Sequence, residues 1–174
     1  PRARIDAMLT TGVAVDEKKK FQAFLTPPAL ADQVARLANV AGCEVLEPSA
    51  GQGALAEASL KLGATCVQCV ELNPENVAVL KSKGLPALEA DFLQFGTPGM
   101  TFRRIVMNPP FTKNQDIAHV EHALRFLTRT NGCLVAIMSA NTSRQRFQDL
   151  VAGHDHDITP VPAGAFSDAG TDVA

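Results

Sequence analysis

Tyrosine and tryptophan are absent from the 174 residues, and nine phenylalanines supply the whole aromatic content of 5%. Mechanisms that need a phenolic acid or an indole platform are therefore excluded. No apolar run is long enough to span a bilayer. The longest, Cys133-Leu134-Val135-Ala136-Ile137-Met138, falls far short of the ~18 residues required. The start, Pro1-Arg2-Ala3-Arg4-Ile5-Asp6, lacks the apolar region of a signal peptide. An excess of one charge is missing too: Lys+Arg at 16 against Asp+Glu at 18 leaves −2, no cationic grip for nucleic acid. There is no Gly-x-x-x-x-Gly-Lys-Ser/Thr loop, so triphosphate hydrolysis has neither its phosphate cradle nor its lysine. Cysteine is sparse (Cys43, Cys66, Cys69, Cys133), and three of the four lie in stretches that read as buried strands. That usage fits free thiols in a reducing, cytoplasmic compartment.

What is present suits one globular domain over 1–174, with 46% hydrophobic and 20% charged residues. Opening on Pro1 rather than Met is what a fragment or processed chain would show. Residues 1–20 read as an N-terminal helical extension, with Lys18-Lys19-Lys20 its solvated end, and 21–174 as the core.

From Ala29 to about Ala152, strand-like and helix-like segments alternate, which predicts a mostly parallel sheet with helices on both faces. Leu30, Val34, Leu37 and Ala38 are spaced for one face of a helix opened by Thr26-Pro27-Pro28. Strands are expected at Cys43–Leu46, Thr65–Leu72, Leu85–Ala90, Arg104–Met107, Leu134–Met138 and Ile158–Val161. Ile117, Val120, Leu124 and Leu127 give the longest clean helical stripe, and a polar helix is expected at Ser143–Val151.

Glu47-Pro48-Ser49-Ala50-Gly51-Gln52-Gly53 leads from the first of these strands into a helix. Glycines in such a turn let the backbone pass close to a ligand, and the helix start offers free N–H groups. The third glycine of the dinucleotide fingerprint is missing, yet an acid, Glu71, ends the next strand, where such folds hold ribose hydroxyls. Asp91 ends the third strand, placed to accept from a purine amino group, with Phe92 against the ring. Asn108-Pro109-Pro110-Phe111 then ends the fourth strand. Two prolines fix the backbone and remove two N–H donors, so carbonyls are presented without competition. With the Asn side chain they offer convergent acceptors for an exocyclic NH₂ group, and Phe111 a face on which a flipped-out base can stack.

These segments together resemble the class I S-adenosylmethionine-dependent methyltransferases, specifically the N6-adenine enzymes. The resemblance covers roughly residues 21 to 140. Leu46 to Gly53 looks like the cofactor loop, with Glu47, Pro48, Ala50, Gly51 and Gly53 at its binding positions. Glu71-Leu72 looks like the ribose-binding acid and its neighbour, Asp91-Phe92 like the adenine-binding pair. Asn108 to Phe111 looks like the catalytic motif, with Asn108 also lining the cofactor site. Upstream, Phe24-Leu25-Thr26-Pro27-Pro28 is similar to the segment that meets the methionine end of the cofactor, which makes Thr26 a binding candidate. That order is the gamma arrangement of the DNA enzymes.

The resemblance implies a Rossmann-like fold and S-adenosylmethionine as cofactor, and it implies no metal. Its substrate is adenine N6 in DNA, with adenine in RNA or a protein glutamine amide as alternatives. A non-catalytic cofactor-binding or nucleic-acid-binding module is a further one. Cytosine C5 chemistry is disfavoured, because no thiol lies near 108–111. No target-recognition segment is visible, so nucleic-acid contact falls to local cations such as Arg144 and Arg146, or to a protein partner or oligomer. Phe166-Ser167-Asp168-Ala169-Gly170-Thr171 resembles the hairpin before the family's last, antiparallel strand, which would begin where the sequence stops.

Four features read as ordinary structure. Cys66-Val67-Gln68-Cys69 sits on a strand, where residues three apart face opposite ways. His154-Asp155-His156-Asp157 is expected as a polar loop, His119 and His122 as satisfied or surface histidines, and Ser139-Ala140-Asn141-Thr142 as a helix cap or pocket lining.

Overall fold

Val45, Leu46, Ile105, Val106, Met107 and the run Leu134 to Met138 are all fully buried, so the central strands are covered on both faces. Parallel sheets have that character, because each crossover helix lies on a face. The computed structural model describes residues 3–10, 25–96, 98–162 and 165–166. Its seven strands are β1 (Arg4–Thr10), β2 (Glu44–Pro48), β3 (Cys66–Glu71), β4 (Ala87–Glu89), β5 (Arg104–Met107), β6 (Cys133–Ser139) and β7 (Asp155–Pro160). They form one sheet in the order β4-β3-β2-β5-β6-β1-β7. Every ladder between them is parallel.

Helices α1 (Pro28–Ala38), α2 (Ala54–Lys61) and α3 (Pro74–Ser82) carry Leu30, Val34, Leu55 and Leu80 into the apolar cluster on one face. Helices α4 (Gln115–Ala123) and α5 (Gln145–Ala152) carry Ile117, Val120, Phe147 and Leu150 into the cluster on the other. Strand alternation divides β6 the same way, with Val135 and Ile137 on the first face and Leu134, Ala136 and Met138 on the second. Proline at the first turn of α1 and of α3 fits positions whose N–H would be unsatisfied anyway. Asn73 caps α3 by accepting from the Glu75 N–H at 2.9 Å.

Several expectations need correction. Residues 4–10, expected within a helical extension, form β1 instead; 11–20 lie outside the described residues. β1 pairs with β6 from Arg4↔Cys133 to Thr10↔Ser139, and with β7 from Arg4↔Asp155 to Leu9↔Pro160. Ile5, Ala7 and Met8 are its buried apolar residues. A final antiparallel strand does not occur among the described residues, and the N-terminal segment supplies a parallel seventh strand. The segment 167–174, where the hairpin was expected, is outside the described residues.

Leu37, expected on the buried face of α1, is 39% exposed. The stripe from Ile117 to Leu127 is shorter than it reads: α4 ends at Ala123 and passes into a 3₁₀ turn at Leu124–Phe126, so α1 is longer. Asp155, His156 and Asp157 belong to β7 rather than to a loop, and Cys66 is exposed rather than buried.

Candidate active site at the sheet's carboxyl edge

The chain runs outward from β2 to β3 and β4, then returns to lay β5 against the other side of β2. That reversal opens a crevice at the carboxyl ends of β2 and β5, where open α/β sheets take their ligands. The loop 49–53 leaves β2 on one side of it, and Asn108 to Phe111 leave β5 on the other. Helix α1 precedes a strand, so it begins at this same edge and delivers Thr26.

The glycine loop is tied to β3. The Ser49 and Ala50 N–H groups both donate to the Val70 carbonyl, at 2.8 and 3.0 Å. Ser49 (φ 71), Gly51 (φ 54) and Gly53 (φ 89) all take left-handed backbone, and of the three Ser49 carries a Cβ there. The Gly51 N–H donates to Glu71 Oε2 at 2.6 Å, and the Asn73 N–H to Glu71 Oε1 at 2.8 Å. Each carboxylate oxygen thus takes one backbone donor and keeps further lone-pair capacity, as a ribose diol needs. Leu72 follows with 58% of its surface exposed, an apolar slab beside that carboxylate. Asp91 accepts from the Leu93 N–H at 3.0 Å and from Gln94 Nε2 at 2.9 Å, which holds the turn after β4.

Two expected binding residues point elsewhere. Glu47 is only 2% exposed. It takes bonds from the Ala56 N–H in the first turn of α2 and from Cys69 Sγ, the latter at 3.9 Å. Burial pushes the Glu47 pKa well up. It therefore braces α2 rather than lining the crevice. Phe92 is 3% exposed, its ring 4.9 Å from that of His122 and 5.8 Å from that of Phe126. The ring is a core element packed toward α4, so a base cannot lie on it. Pro48 at the end of β2 and Ala50 in the loop are both buried.

Across the crevice, Asn108 Nδ2 donates to Thr26 Oγ1 at 3.0 Å, joining residues 82 positions apart. Pro109 is buried and Pro110 exposed, and Phe111 is half-buried against the α1-side cluster. Lys113 (φ 51) and Asn114 (φ 60) follow in strained left-handed conformations.

The two cations nominated for nucleic acid are engaged with carboxylates. Arg144 makes a bidentate pair with Asp116, Nη1 to Oδ1 and Nη2 to Oδ2, both at 2.9 Å. Arg144 also donates from Nε to the Asn141 carbonyl at 2.8 Å, and Asp116 accepts from the Ser139 N–H at 3.1 Å. Arg146 Nε donates to Glu121 Oε1 at 2.9 Å. Sequence reasoning missed Asp116 altogether; nothing local links a helix-start carboxylate to an arginine 28 positions on.

His119 is buried, with Nδ1 2.8 Å from the Gln115 carbonyl, and desolvation lowers its pKa. His122 Nε2 lies 2.8 Å from the Phe95 carbonyl. Among the described residues, no group of three metal-ligating side chains converges. No helix is long and apolar enough to cross a membrane, among those same residues.

No protein-family model matches the chain, and no curated protein does. Solved structures do. The candidate RNA methyltransferase PH1948 from Pyrococcus horikoshii superposes with TM-score 0.62 at 24% identity, over 80% of this chain and 74% of that one. TrmN from Thermus thermophilus gives TM-score 0.55 at 24% identity, over 76% of this chain and 43% of its own. The ribosomal protein L11 methylase from Lactobacillus delbrueckii subsp. bulgaricus gives 0.56 at 19%, over 70% and 65%. The class is thereby defined at the level of architecture: this is the Rossmann-like fold of the S-adenosylmethionine-dependent methyltransferases.

Proposed function

We propose that the protein transfers a methyl group from S-adenosylmethionine to the exocyclic N6 amine of adenine in a nucleic acid. The reading is carried by one arrangement: Asn108-Pro109-Pro110-Phe111 faces, across the β2/β5 crevice, a glycine loop bonded to Glu71. The fit to the cofactor rests on donor chemistry. Glu71 is shaped to receive a vicinal diol, and exposed Leu72 offers an apolar face for an adenine ring. Asp91 would accept from that ring's amino group, and the Phe92 backbone would serve where its side chain does not. Gly51 leaves room for close approach, and Thr26 stands at the opposite wall.

When bound, this cofactor supplies a methyl carbon made electrophilic by its sulfonium. The protein's own part is positioning and electrostatics. The Asn108 side-chain oxygen and the Pro109 carbonyl accept the two N–H bonds of the target amine, which turns the nitrogen lone pair out of conjugation. No general base is required before attack, because the nitrogen becomes strongly acidic only once methylated. Phe111 supplies the stacking face, without a phenol hydroxyl.

DNA is the first substrate, from the gamma order of the motifs. RNA is the second, supported by the likeness to an archaeal candidate RNA methyltransferase. With Arg144 and Arg146 engaged, phosphate contact falls to cations such as exposed Lys113, or to a protein partner or oligomer. Incubation with radiolabelled cofactor and pools of DNA, RNA and protein, followed by nucleoside analysis, tests this. Labelled N6-methyladenine is expected; label only in protein glutamine, or none anywhere, rejects it. Asn108→Ala should cut transfer by about 10²-fold or more at saturating cofactor, so that weakened cofactor binding cannot account for the loss.

A further inference from the structure

We infer that Thr26 is a positioning residue whose hydroxyl anchors the Asn108 side-chain amide beside the substrate amine. The inference rests on the adenine-amine reading above and adds to Thr26 a role distinct from cofactor contact.

A side-chain amide can present either its oxygen or its NH₂ along a given direction, and the two are close in shape. A target amine held for methylation is a donor. Facing Oδ1, it gains a hydrogen bond; facing Nδ2, it meets donor against donor. The useful orientation therefore needs an acceptor on the far side to receive Nδ2. Thr26 Oγ1 is there, at 3.0 Å. The hydroxyl is well anchored for the task. Thr26 is 8% exposed, Pro27 behind it is buried, and the Pro27 carbonyl accepts from the Ala31 N–H at 2.9 Å. Proline at 27 and 28 fixes φ at both following positions, so the hydroxyl hangs from a short stiff lead into α1. At the other end, Asn108 leaves β5 into two prolines, so its backbone is equally restrained. A stiff hydroxyl meeting a stiff amide holds that side chain in place, which is how a supporting contact raises a rate without touching the substrate.

The test separates positioning from cofactor contact. Thr26→Val removes the acceptor and keeps the shape, and Thr26→Ser keeps the acceptor. With adenine substrate at saturating cofactor, Thr26→Val should lower kcat about 10²-fold, a loss that further cofactor does not recover, and Thr26→Ser should restore kcat to within about fivefold. A raised cofactor Kd with unchanged kcat would show a cofactor contact only and overturn the inference, as would no change in either. A second readout needs no substrate. In amide proton–nitrogen spectra, the Asn108 side-chain signals, assigned by their loss in Asn108→Ala, should shift in Thr26→Val and keep their position in Thr26→Ser. Signals unmoved in Thr26→Val would overturn it; Thr26→Ala replaces the Val variant if melting shows that one unfolded. Should the wild type methylate no adenine, the function fails while the spectra still decide the contact.

Discussion

Gly53 meets two demands at one position, the first residue before α2. Its φ of 89 is left-handed, and a Cβ there would lie 2.7 Å from Leu80 Cδ2 and 2.8 Å from Leu85 Cδ1. Gly53→Ala combines backbone strain with overpacking, and should destabilise by about 1–3 kcal/mol in urea titration. A loss below about 0.5 kcal/mol would contradict that account. Glu47 gives a pH prediction at the same scale. Its folded pKa is raised by burial, so the native state holds a proton that the unfolded chain releases. The stabilisation is full below the ordinary carboxylate range and is lost as pH rises toward the folded value. Glu47→Gln should therefore gain stability relative to wild type in going from about pH 5 to about pH 8, read from denaturant midpoints. An unchanged difference across that range would refute the buried, protonated state. Cysteine reactivity follows burial likewise. Cys66 is exposed, and burial pushes the Cys133 thiol up to about 11, so a maleimide should label Cys66 first.

Two loops at the sheet's carboxyl edge are held as one unit by the Asp116–Arg144 pair. Asp116, on the first turn of α4, is fully buried, and Arg144 precedes α5 after the turn from β6. Removing one partner leaves a buried charge without its counter-ion. Arg144→Ala should thus destabilise by about 3–5 kcal/mol, and its effect should be far from additive with Asp116→Asn in a double-mutant cycle. If Arg144 instead gripped a phosphate, its removal would leave stability unchanged and lower the salt dependence of nucleic-acid binding by about one unit of slope. The same clamp ties the segment after Asn108 to Phe111 to the end of β6, so its integrity bears on the shape of the target side of the crevice.

For the molecule as a whole, β1 is the strand that joins β7 to the rest of the sheet. Among the described residues β7 pairs only with β1, and Arg4 adds contacts to Asp6 at 2.8 Å and to Asp157. Deleting residues 1–10 should raise amide exchange across β7 and α5 while β2, β3 and β5 stay protected. Protection of β7 unchanged by the deletion would show that β1 does not hold it. The β2/β5 crevice lies away from β7, so the fold separates that crevice from the sheet edge that β1 completes.

The local sequence determined most of the elements, because apolar period, proline starts and glycine stops act within a few residues. It also placed Gly51, Glu71, Asp91 and Asn108 on one sheet edge, since each lies at or just past the end of a strand and parallel strands share an edge. Tertiary structure alone decided four other things. Residues 4–10 became a strand because a place in the sheet, between β6 and β7, buries Ile5, Ala7 and Met8. Phe92 and Glu47 turned inward because helices packed over them, and no period along the chain encodes which helix covers which side chain. Arg144 became a structural cation because a carboxylate distant in sequence folded beneath it. Thr26 met Asn108 because α1 and β5 reach the same edge from opposite directions. Spacing within an element is a local property of the chain, whereas the meeting of two elements depends on the packing of all of them.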